Sequence, residues 1–393
     1  MEYRSHKIRL ELTNKQVTLA KKHAGVARHA YNWGLDVCNK TFEDKEKHPS
    51  AIDLHKKLVK EVKSENEWYY EVSKCSPQQS LRDLDIAFKR FFKKTSAYPK
   101  FKKKGQKDSF YLEGNIKIEN NRIKVPIFGW VRLSEKIENI EGIKNVRISR
   151  QSTNWFVSFK TEFRPIKTIK KHPVVGVDLG IKSLAVLSTG EVFENLRPYK
   201  KYKRKLKLAQ RKMSKKFKKG QPQSKNYKKA KEKVAKIHYK ISCIRKDGLH
   251  KLTTYLAKNH SKVVIEDLNV SGMSKNHKLA SAILDGGFYE FRRQTEYKCK
   301  WYGSELIVAD RYFASSKTCS KCGVKKEKLS LKERTFICSS CGFTLDRDEN
   351  ASLNLENLAT SSVVVACGVS NQPKRKAKGH NEAGSKQQTL NFV

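Results

Sequence analysis

The sequence predicts a multi-domain α/β protein: a small antiparallel β-barrel with helices inserted into it, then a mixed α/β domain, then a compact cysteine module. Three observations carry this prediction. Apolar residues alternate with period two through 115–163, they recur at helical spacing through 14–95 and 200–258, and three short apolar runs, VVGVDLG, KVVIED and ELIVAD, have the composition of buried strands. A chain of 393 residues also exceeds what one hydrophobic core usually organises.

In chain order, KIRLEL at 7–12 alternates as a half-buried strand, and Thr13 with Gln16 offers a capping box for a helix running to about Asn39. Ser76-Pro77 reads as N-cap and first residue of another helix, with Leu81, Leu84, Phe88 and Phe91 on its apolar face. From Asn115 to Phe163 come IKIE, an Asn120-Asn121 turn, RIKV, GWVRL, NVRIS and NWFVSF, all short antiparallel strands. The strand at 7–12 lacks a local partner and is expected to join them. The predicted units are therefore 1–13 with 96–172 as the barrel, and 14–95 as inserted helices.

After Pro173, VVGVDLG and SLAVLS are expected as antiparallel neighbours in a new sheet. Residues 196–258 form a long basic helical hairpin, because Val234, Ile237, Ile241, Leu249, Leu252 and Leu256 keep an apolar stripe and Gly220-Gln221-Pro222 breaks the run. KVVIED, a helix over about 287–301, and ELIVAD complete this domain at 173–310, with 345–358 returning to it. The tail, 359–393, lacks periodicity and is expected to be disordered. Trp33, Trp68, Trp130, Trp155 and Trp301 lie in apolar patterns and are expected in cores.

Lysine and arginine outnumber aspartate and glutamate by 84 to 39, a formal charge of +45 spread over the whole chain. Such a surface repels itself unless a polyanion neutralises it, so nucleic acid is the expected partner. No apolar run approaches the roughly 20 residues a membrane span needs, and the N-terminus has no signal-peptide core, so a cytoplasmic protein without a membrane partner is expected.

Four of the nine cysteines form two pairs, Cys319-x-x-Cys322 and Cys338-x-x-Cys341, fifteen residues apart. That spacing delivers four thiolates to one tetrahedral Zn²⁺, and Gly323 and Gly342 follow each pair where the backbone turns tightly. A closed Cys₄ site has no open position for water, so this zinc, in a ribbon at 311–344, is structural.

Asp178 sits inside VVGVDLG, Glu266 ends KVVIE, and Asp348 lies in LDRDENASLNL at the start of a C-terminal helix. A carboxylate at the end of a buried strand is costly unless it is paired or bound to metal. Three such acids, meeting in space, suit two Mg²⁺ ions in phosphodiester hydrolysis. Asp346, Asp267 and Glu349 are neighbours with weaker claims.

The motifs GVDLGIKSLAV, VVIEDLNV, LDGGFYEFRRQTEYKCKWYG, RYFASSKTCSKCG and CGFTLDRDENASLNL, in this order over about 174–355, resemble the TnpB family, transposon-encoded relatives of type V CRISPR effectors. The resemblance implies a RuvC-like RNase H fold with a zinc ribbon, preceded by a β-barrel wedge domain with an inserted helical recognition domain. It implies Asp178, Glu266 and Asp348 as metal-binding catalytic acids of an RNA-guided DNA endonuclease. It further implies a guide RNA derived from the transposon end and a double-stranded target DNA carrying a short adjacent motif, in a monomeric ribonucleoprotein at the prokaryotic nucleoid. A miniature CRISPR effector and a non-catalytic RNA-guided regulator remain alternatives. Lys74 and Gln78, one helical turn apart, are candidates for reading the motif duplex, and Arg311 for touching the scissile phosphate. Pro-Lys-Arg-Lys-Ala-Lys at 373–378 imitates a nuclear-localisation signal and is read as part of a basic tail.

Overall fold

The structure, a computed structural model, describes residues 2–137, 140, 142–330 and 333–365. The tail residues from 366 on, including Cys367 and the basic segment 373–378, lie outside the described residues.

The chain opens with strand β1 (Glu2–Glu11) and helix α1 (Asn14–Glu43). The predicted capping box starts α1: the Gln16 N–H donates to Thr13 Oγ1 at 3.3 Å, and the Thr13 N–H donates to Gln16 Oε1 at 3.1 Å. Helices α2 (Ala51–Lys57), prolonged by a π-helical turn over Leu58–Lys63, and α3 (Cys75–Phe92) follow. Helix α1 serves two cores. Its Ala20, Ala24 and Ala27 pack on strands, while Val26, Ala30, Tyr31 and Leu35 pack against Leu54, Leu58, Leu81, Leu84 and Phe88. The expected Ser76 cap is not made: α3 begins at Cys75, and the Ser76 hydroxyl instead donates to the Tyr111 carbonyl at 3.2 Å, tying the helix to the sheet.

Strands β2 (Ser109–Glu113), β3 (Lys117–Glu119), β4 (Arg122–Val125), β5 (Gly129–Leu133), β6 (Asn145–Gln151) and β7 (Asn154–Phe163) join β1 in one antiparallel sheet of order β2-β6-β7-β1-β5-β4-β3. β1 does find distant partners: it pairs with β7 from Glu2↔Phe163 to Leu10↔Trp155 and with β5 at Leu10↔Leu133. The end strands β2 and β3 do not pair with each other, so hydrogen bonds do not close the expected barrel. All seven strands nevertheless point side chains into one core, including Ile8, Leu112, Ile118, Ile123, Val131, Ile148 and Val157. Trp155 is buried in it, whereas Trp68 and Trp130 are exposed, contrary to expectation.

A second sheet has β8 (His172–Leu179), β9 (Ser183–Leu187), β10 (Val192–Glu194), β11 (His260–Glu266) and β12 (Glu305–Ala309) in the order β10-β9-β8-β11-β12. β8, β11 and β12 run parallel, while β9 and β10 run antiparallel to their neighbours. The basic hairpin is α4 (Pro198–Ser214) and α5 (Lys225–Asn259), zipped by Leu206, Ala209, Val234, Ile237 and Ile241. Helices α6 (Val270–Met273), α7 (Ala280–Gly286) and α8 (Phe288–Tyr302) follow β11. Buried Asp285 of α7 anchors the hairpin, accepting from the Tyr199 and Lys200 N–H groups at 2.9 and 3.2 Å and from Arg245 Nη2 at 3.0 Å.

The two faces of this sheet carry different helices. Val175, Val177, Val263 and Ile265 pack on Leu252 and Leu256 of α5 and Phe291 of α8. Val174, Val264 and Ala309, pointing the other way, pack on Leu355 and Ala359 of α9 (Arg347–Val365). Residues 359–365 are thus helical, not part of a structureless tail. Between β12 and α9 lies a cysteine module with the short hairpin β13 (Thr335–Ile337) and β14 (Thr344–Asp346). No helix among the described residues is long and apolar enough to cross a membrane.

Candidate metal centres and nucleic-acid interface

Side-chain alternation along β8 puts Val174, Gly176 and Asp178 on one face. The parallel register Val264↔Gly176 and Ile265↔Val177 sets Glu266 beside Asp178 at the strand ends. Helix α9 lies across this face so closely that a Cβ on Gly176 would stand 1.9 Å from the Ser352 carbonyl oxygen and 2.6 Å from the Glu356 nitrogen. Only glycine fits there, and the contact fixes where the first turn of α9 delivers Asp348. Glycine inside an apolar strand is a sequence sign of close backbone approach, and Gly176 is the site-building residue that sequence reasoning passed over.

The three acids feel one another. Burial pushes the Asp178 carboxyl up to about 8, repulsion from Glu266 and then Asp348 adds to this, and Arg347 works the other way. Glu266 accepts a short hydrogen bond from the Ser315 hydroxyl. Asp348 Oδ1 accepts from Arg347 Nε and Nη2 at 3.3 and 3.2 Å, and Asp348 Oδ2 lies 3.9 Å from Arg334 Nη1. Three carboxylates are a hard-oxygen donor set, and a divalent cation among them would offset both the burial and the mutual repulsion that raise Asp178, so the residues fit Mg²⁺. Asp346 has a different task. Its Oδ1 accepts from the Asp348 and Glu349 N–H groups at 2.9 and 3.3 Å, the geometry of an N-cap on α9.

Asp267, one residue after Glu266, is bracketed by two guanidiniums: Arg311 Nη2 donates to it at 2.6 Å and Arg292 donates from the other side. Arg311 and then Arg292 hold its carboxyl below the usual aspartate range. These residues line a cleft of about 280 Å³ with Glu266, Leu179, Phe288 and Tyr289. Arg311 therefore stands in the cleft that Glu266 also lines, as an ion-pair partner of Asp267. Lys74 is exposed at the start of α3, and half-buried Gln78 follows one turn later, its N–H donating to the Lys74 carbonyl at 3.4 Å.

The sulfurs of Cys319, Cys322, Cys338 and Cys341 all lie within 4.8 Å of one another, the one such donor cluster found among the described residues. The closest pairs, Cys319–Cys341 and Cys322–Cys338, are 3.7 and 3.6 Å apart. Tetrahedral Zn–S bonds of about 2.3 Å put thiolates about 3.8 Å apart, so the set fits zinc rather than disulfides. The two pairs are built alike. The Gly323 N–H donates to the Cys319 carbonyl at 2.9 Å and the Gly342 N–H to the Cys338 carbonyl at 3.1 Å, with φ of +76° and +67° at the two glycines. Backbone N–H groups of Cys341 and Ser340 pull the Cys338 thiol down, while the thiols crowded around Cys322 push that one up, so without a cation the four sulfurs do not all ionise together.

Profiles of known families match three stretches: residues 158–277 match "Probable transposase" of the IS605 OrfB type, 288–355 match "Cas12f1-like, TNB domain", and 1–47 match "Helix-turn-helix domain". In the last stretch the chain folds as a strand and one 30-residue helix, α1. The "Putative RNA-guided DNA endonuclease InsQ" of Escherichia coli (strain K12) is 35% identical over 95% of this chain and 96% of that protein. A "Putative RNA-guided DNA endonuclease" of Streptomyces pristinaespiralis is 36% identical over 98% and 96%. The protein in a solved "Cas12f1-sgRNA-target DNA complex" shares the fold, with a TM-score of 0.56 at 15% identity over 91% of this chain and 99% of that one. Matched end to end by such relatives and carrying the transposon-type profile across β8 and β11, the chain belongs to the TnpB family.

Proposed function

We propose that this chain is an RNA-guided DNA endonuclease whose hydrolytic site is Asp178, Glu266 and Asp348. The observation that carries the reading is geometric: the β8–β11 register sets Glu266 beside Asp178 at the strand ends, and α9 packs on Gly176 of the same strand with Asp348 in its first turn. Burial, and then repulsion from Glu266 and Asp348, raises the Asp178 carboxyl in keeping with it. The names of end-to-end relatives support the guided activity, and a sheet of order β10-β9-β8-β11-β12 supports a RuvC-like arrangement. The proposed units are a wedge domain at 1–13 and 96–172, a recognition domain at 14–95, a nuclease domain at 173–310 and 345–358, and a zinc ribbon at 311–344.

Two Mg²⁺ ions held by the three carboxylates would supply an activated water and steady the leaving oxygen. The chain's own residues do the placing. β8 and β11 set Asp178 and Glu266 side by side, and α9, seated on Gly176, brings Asp348 across. Arg311 and Arg292 give the adjoining cleft a positive rim for a phosphate backbone, and Asp267 keeps both in place. Lys74 and Gln78 would face the base edges of a short motif in double-stranded target DNA. A guide RNA from the transposon end, held by shape and phosphates over the basic surface, leaves sequence to base pairing. The particle is proposed to hold one copy of the chain and to act at the prokaryotic nucleoid.

The test is to purify the chain with its bound RNA, sequence that RNA, and offer matching DNA with Mg²⁺. Cutting is expected, and Asp178→Ala should slow it on the order of a thousandfold, equivalent to about 4 kcal/mol. Equal cutting by Asp178→Ala overturns the catalytic assignment; preparations free of RNA that no added RNA activates overturn the guided reading.

A further inference from the structure

Resting on the reading of Asp178, Glu266 and Asp348 as metal-binding acids, we propose that Ser315 is a positioning residue for Glu266, held in place by buried asparagines of α9 that also carry the zinc ribbon. Ser315 lies in the link between β12 and the first cysteine pair. It is 4% exposed, and its hydroxyl donates to Glu266 Oε1. A Glu266 side chain at a strand end has several rotamers open to it, and a hydroxyl fixed on one oxygen selects among them and leaves the other oxygen for a cation.

What fixes Ser315 is a ladder on α9. Asn354 Nδ2 donates to the Ser315 carbonyl at 2.7 Å and to the Thr318 carbonyl at 2.6 Å. One turn earlier, Asn350 Nδ2 donates to the Thr318 carbonyl at 2.7 Å, and Asn350 Oδ1 accepts from the Ser320 N–H at 3.0 Å. Asn350 is fully buried and Asn354 is 5% exposed, so each amide satisfies backbone groups that would otherwise be orphaned. Cys319, a ribbon ligand, sits between Thr318 and Ser320. The segment 315–320 therefore touches an acid at one end and the cysteine cluster at the other, and the helix it lies on is the one that presents Asp348. The two centres share one support.

Removing the hydroxyl of a residue that orients a metal ligand typically weakens metal affinity ten- to a hundredfold. Mn²⁺, titrated into zinc-loaded full-length protein and followed by its electron paramagnetic resonance signal, reads this directly without nuclease activity. Ser315→Ala is expected to bind Mn²⁺ ten- to a hundredfold more weakly than wild type while keeping one zinc per chain. Ser315→Thr, which restores a hydroxyl, should recover most of that loss. Asn354→Ala, which leaves the hydroxyl but loosens its backbone, should lose affinity to a smaller extent. Wild-type Mn²⁺ affinity in both Ser315→Ala and Asn354→Ala overturns the proposal. So does joint loss of zinc and Mn²⁺ in Ser315→Ala without recovery in Ser315→Thr, which would make the residue a mere structural support. A separate arm isolates the parent reading: if Asp178→Ala binds Mn²⁺ as wild type does, the acids are not the site and both claims fall.

Discussion

The ribbon and the acid site are both candidate metal centres, yet they are assembled on different principles. In the ribbon, two short turns with their own glycines bring four sulfurs within 4.8 Å, and little else is there: the local core is Phe336 with Cys319 and Cys338, flanked by Phe343. In the proposed acid site, each carboxylate comes from a different element, and two of them already have a partner, Ser315 for Glu266 and Arg347 for Asp348. Metal binding in the ribbon would supply folding energy to a module with so small a core. The acid site, in contrast, is held open by the packing of a full sheet and helix, and its unfavourable charge is tolerated by that packing.

Breaking the ribbon should therefore produce the largest effect. Cys338→Ser forfeits most of a binding free energy of about 10–16 kcal/mol. Zinc content is expected to fall from one per chain to near zero, and limited proteolysis should open the segment 311–344 while the seven-stranded sheet stays protected. A ribbon that remains resistant without zinc would erase the distinction drawn above.

Gly176→Ala attacks the other side of the comparison. Its Cβ meets backbone atoms, 1.9 Å from the Ser352 carbonyl oxygen, so α9 has to move away. The cost is expected to be at least about 3 kcal/mol by denaturant unfolding. Cutting should be lost as fully as in Asp178→Ala, while zinc remains at one per chain because all four thiols are local to the ribbon and the segment 315–320, bonded to Asn350 and Asn354, moves with α9. Loss of zinc in this variant would mean that the ribbon depends on helix docking after all.

This contrast also explains what could be read in advance. The Cys₄ site was legible because its information is local, two spacings and two glycines. That β1 is a strand joining the later ones, and that 196–258 is a basic hairpin, were legible from hydrophobic period and the lack of a local partner; that β7 is its long partner was not. Asp178 and Glu266 stood out as buried-strand carboxylates and Asp348 as an acid at a helix start, but the convergence proposed for them was implied only by family resemblance, because it depends on a helix some 170 residues downstream of Asp178 docking on Gly176. Ser315 and Asp285 lie inside the family-like motifs but nothing in them pointed to a role, since a serine in a loop and an aspartate in a helix are ordinary until their partners are seen. Ser76 misled for a related reason: Ser-Pro marks helix starts statistically, and here a tertiary acceptor, the Tyr111 carbonyl, claims the hydroxyl.

Acid pH would blur the comparison, because thiolates release zinc on protonation and a core histidine fails in the same range. His23 is fully buried between the rings of Phe110 and Phe128, its Nε2 accepting from the Ser73 N–H at 3.1 Å and its Nδ1 facing the Leu19 carbonyl. Burial lowers its pKa from 6.5 to about 4. The unfolded chain then binds more protons between these values, so stability is present above pH 6.5 and is lost as pH falls toward 4, by roughly 3 kcal/mol in all. Denaturant titrations of the zinc-loaded protein should show this loss in the seven-stranded sheet, and His23→Gln should flatten it. Unchanged acid sensitivity in that variant would assign the loss to the ribbon instead.

The smallest expected stability effect tests the finest distinction, between Asp346 and Asp348. Both flank Arg347, and a sequence pattern separates them only through resemblance. Their side chains differ in kind: Asp346 accepts two backbone N–H groups at the start of α9 and raises Asp178 only weakly, whereas Asp348 raises Asp178 more strongly, second only to Glu266 among the acids. Asp346→Ala should therefore cost about 1 kcal/mol of stability, as loss of an N-cap does, and Asp346→Asn, which keeps an acceptor, should cost less. Both should bind Mn²⁺ within a few fold of wild type. Asp348→Asn should do the reverse, leaving stability nearly unchanged, abolishing Mn²⁺ binding, and letting the Asp178 carboxyl titrate lower because one of its repelling neighbours is gone. If instead Asp346→Asn abolishes Mn²⁺ binding and Asp348→Asn does not, the ligand and the cap have been exchanged, and α9 must present its first turn to the sheet from a different side than the Gly176 contact requires.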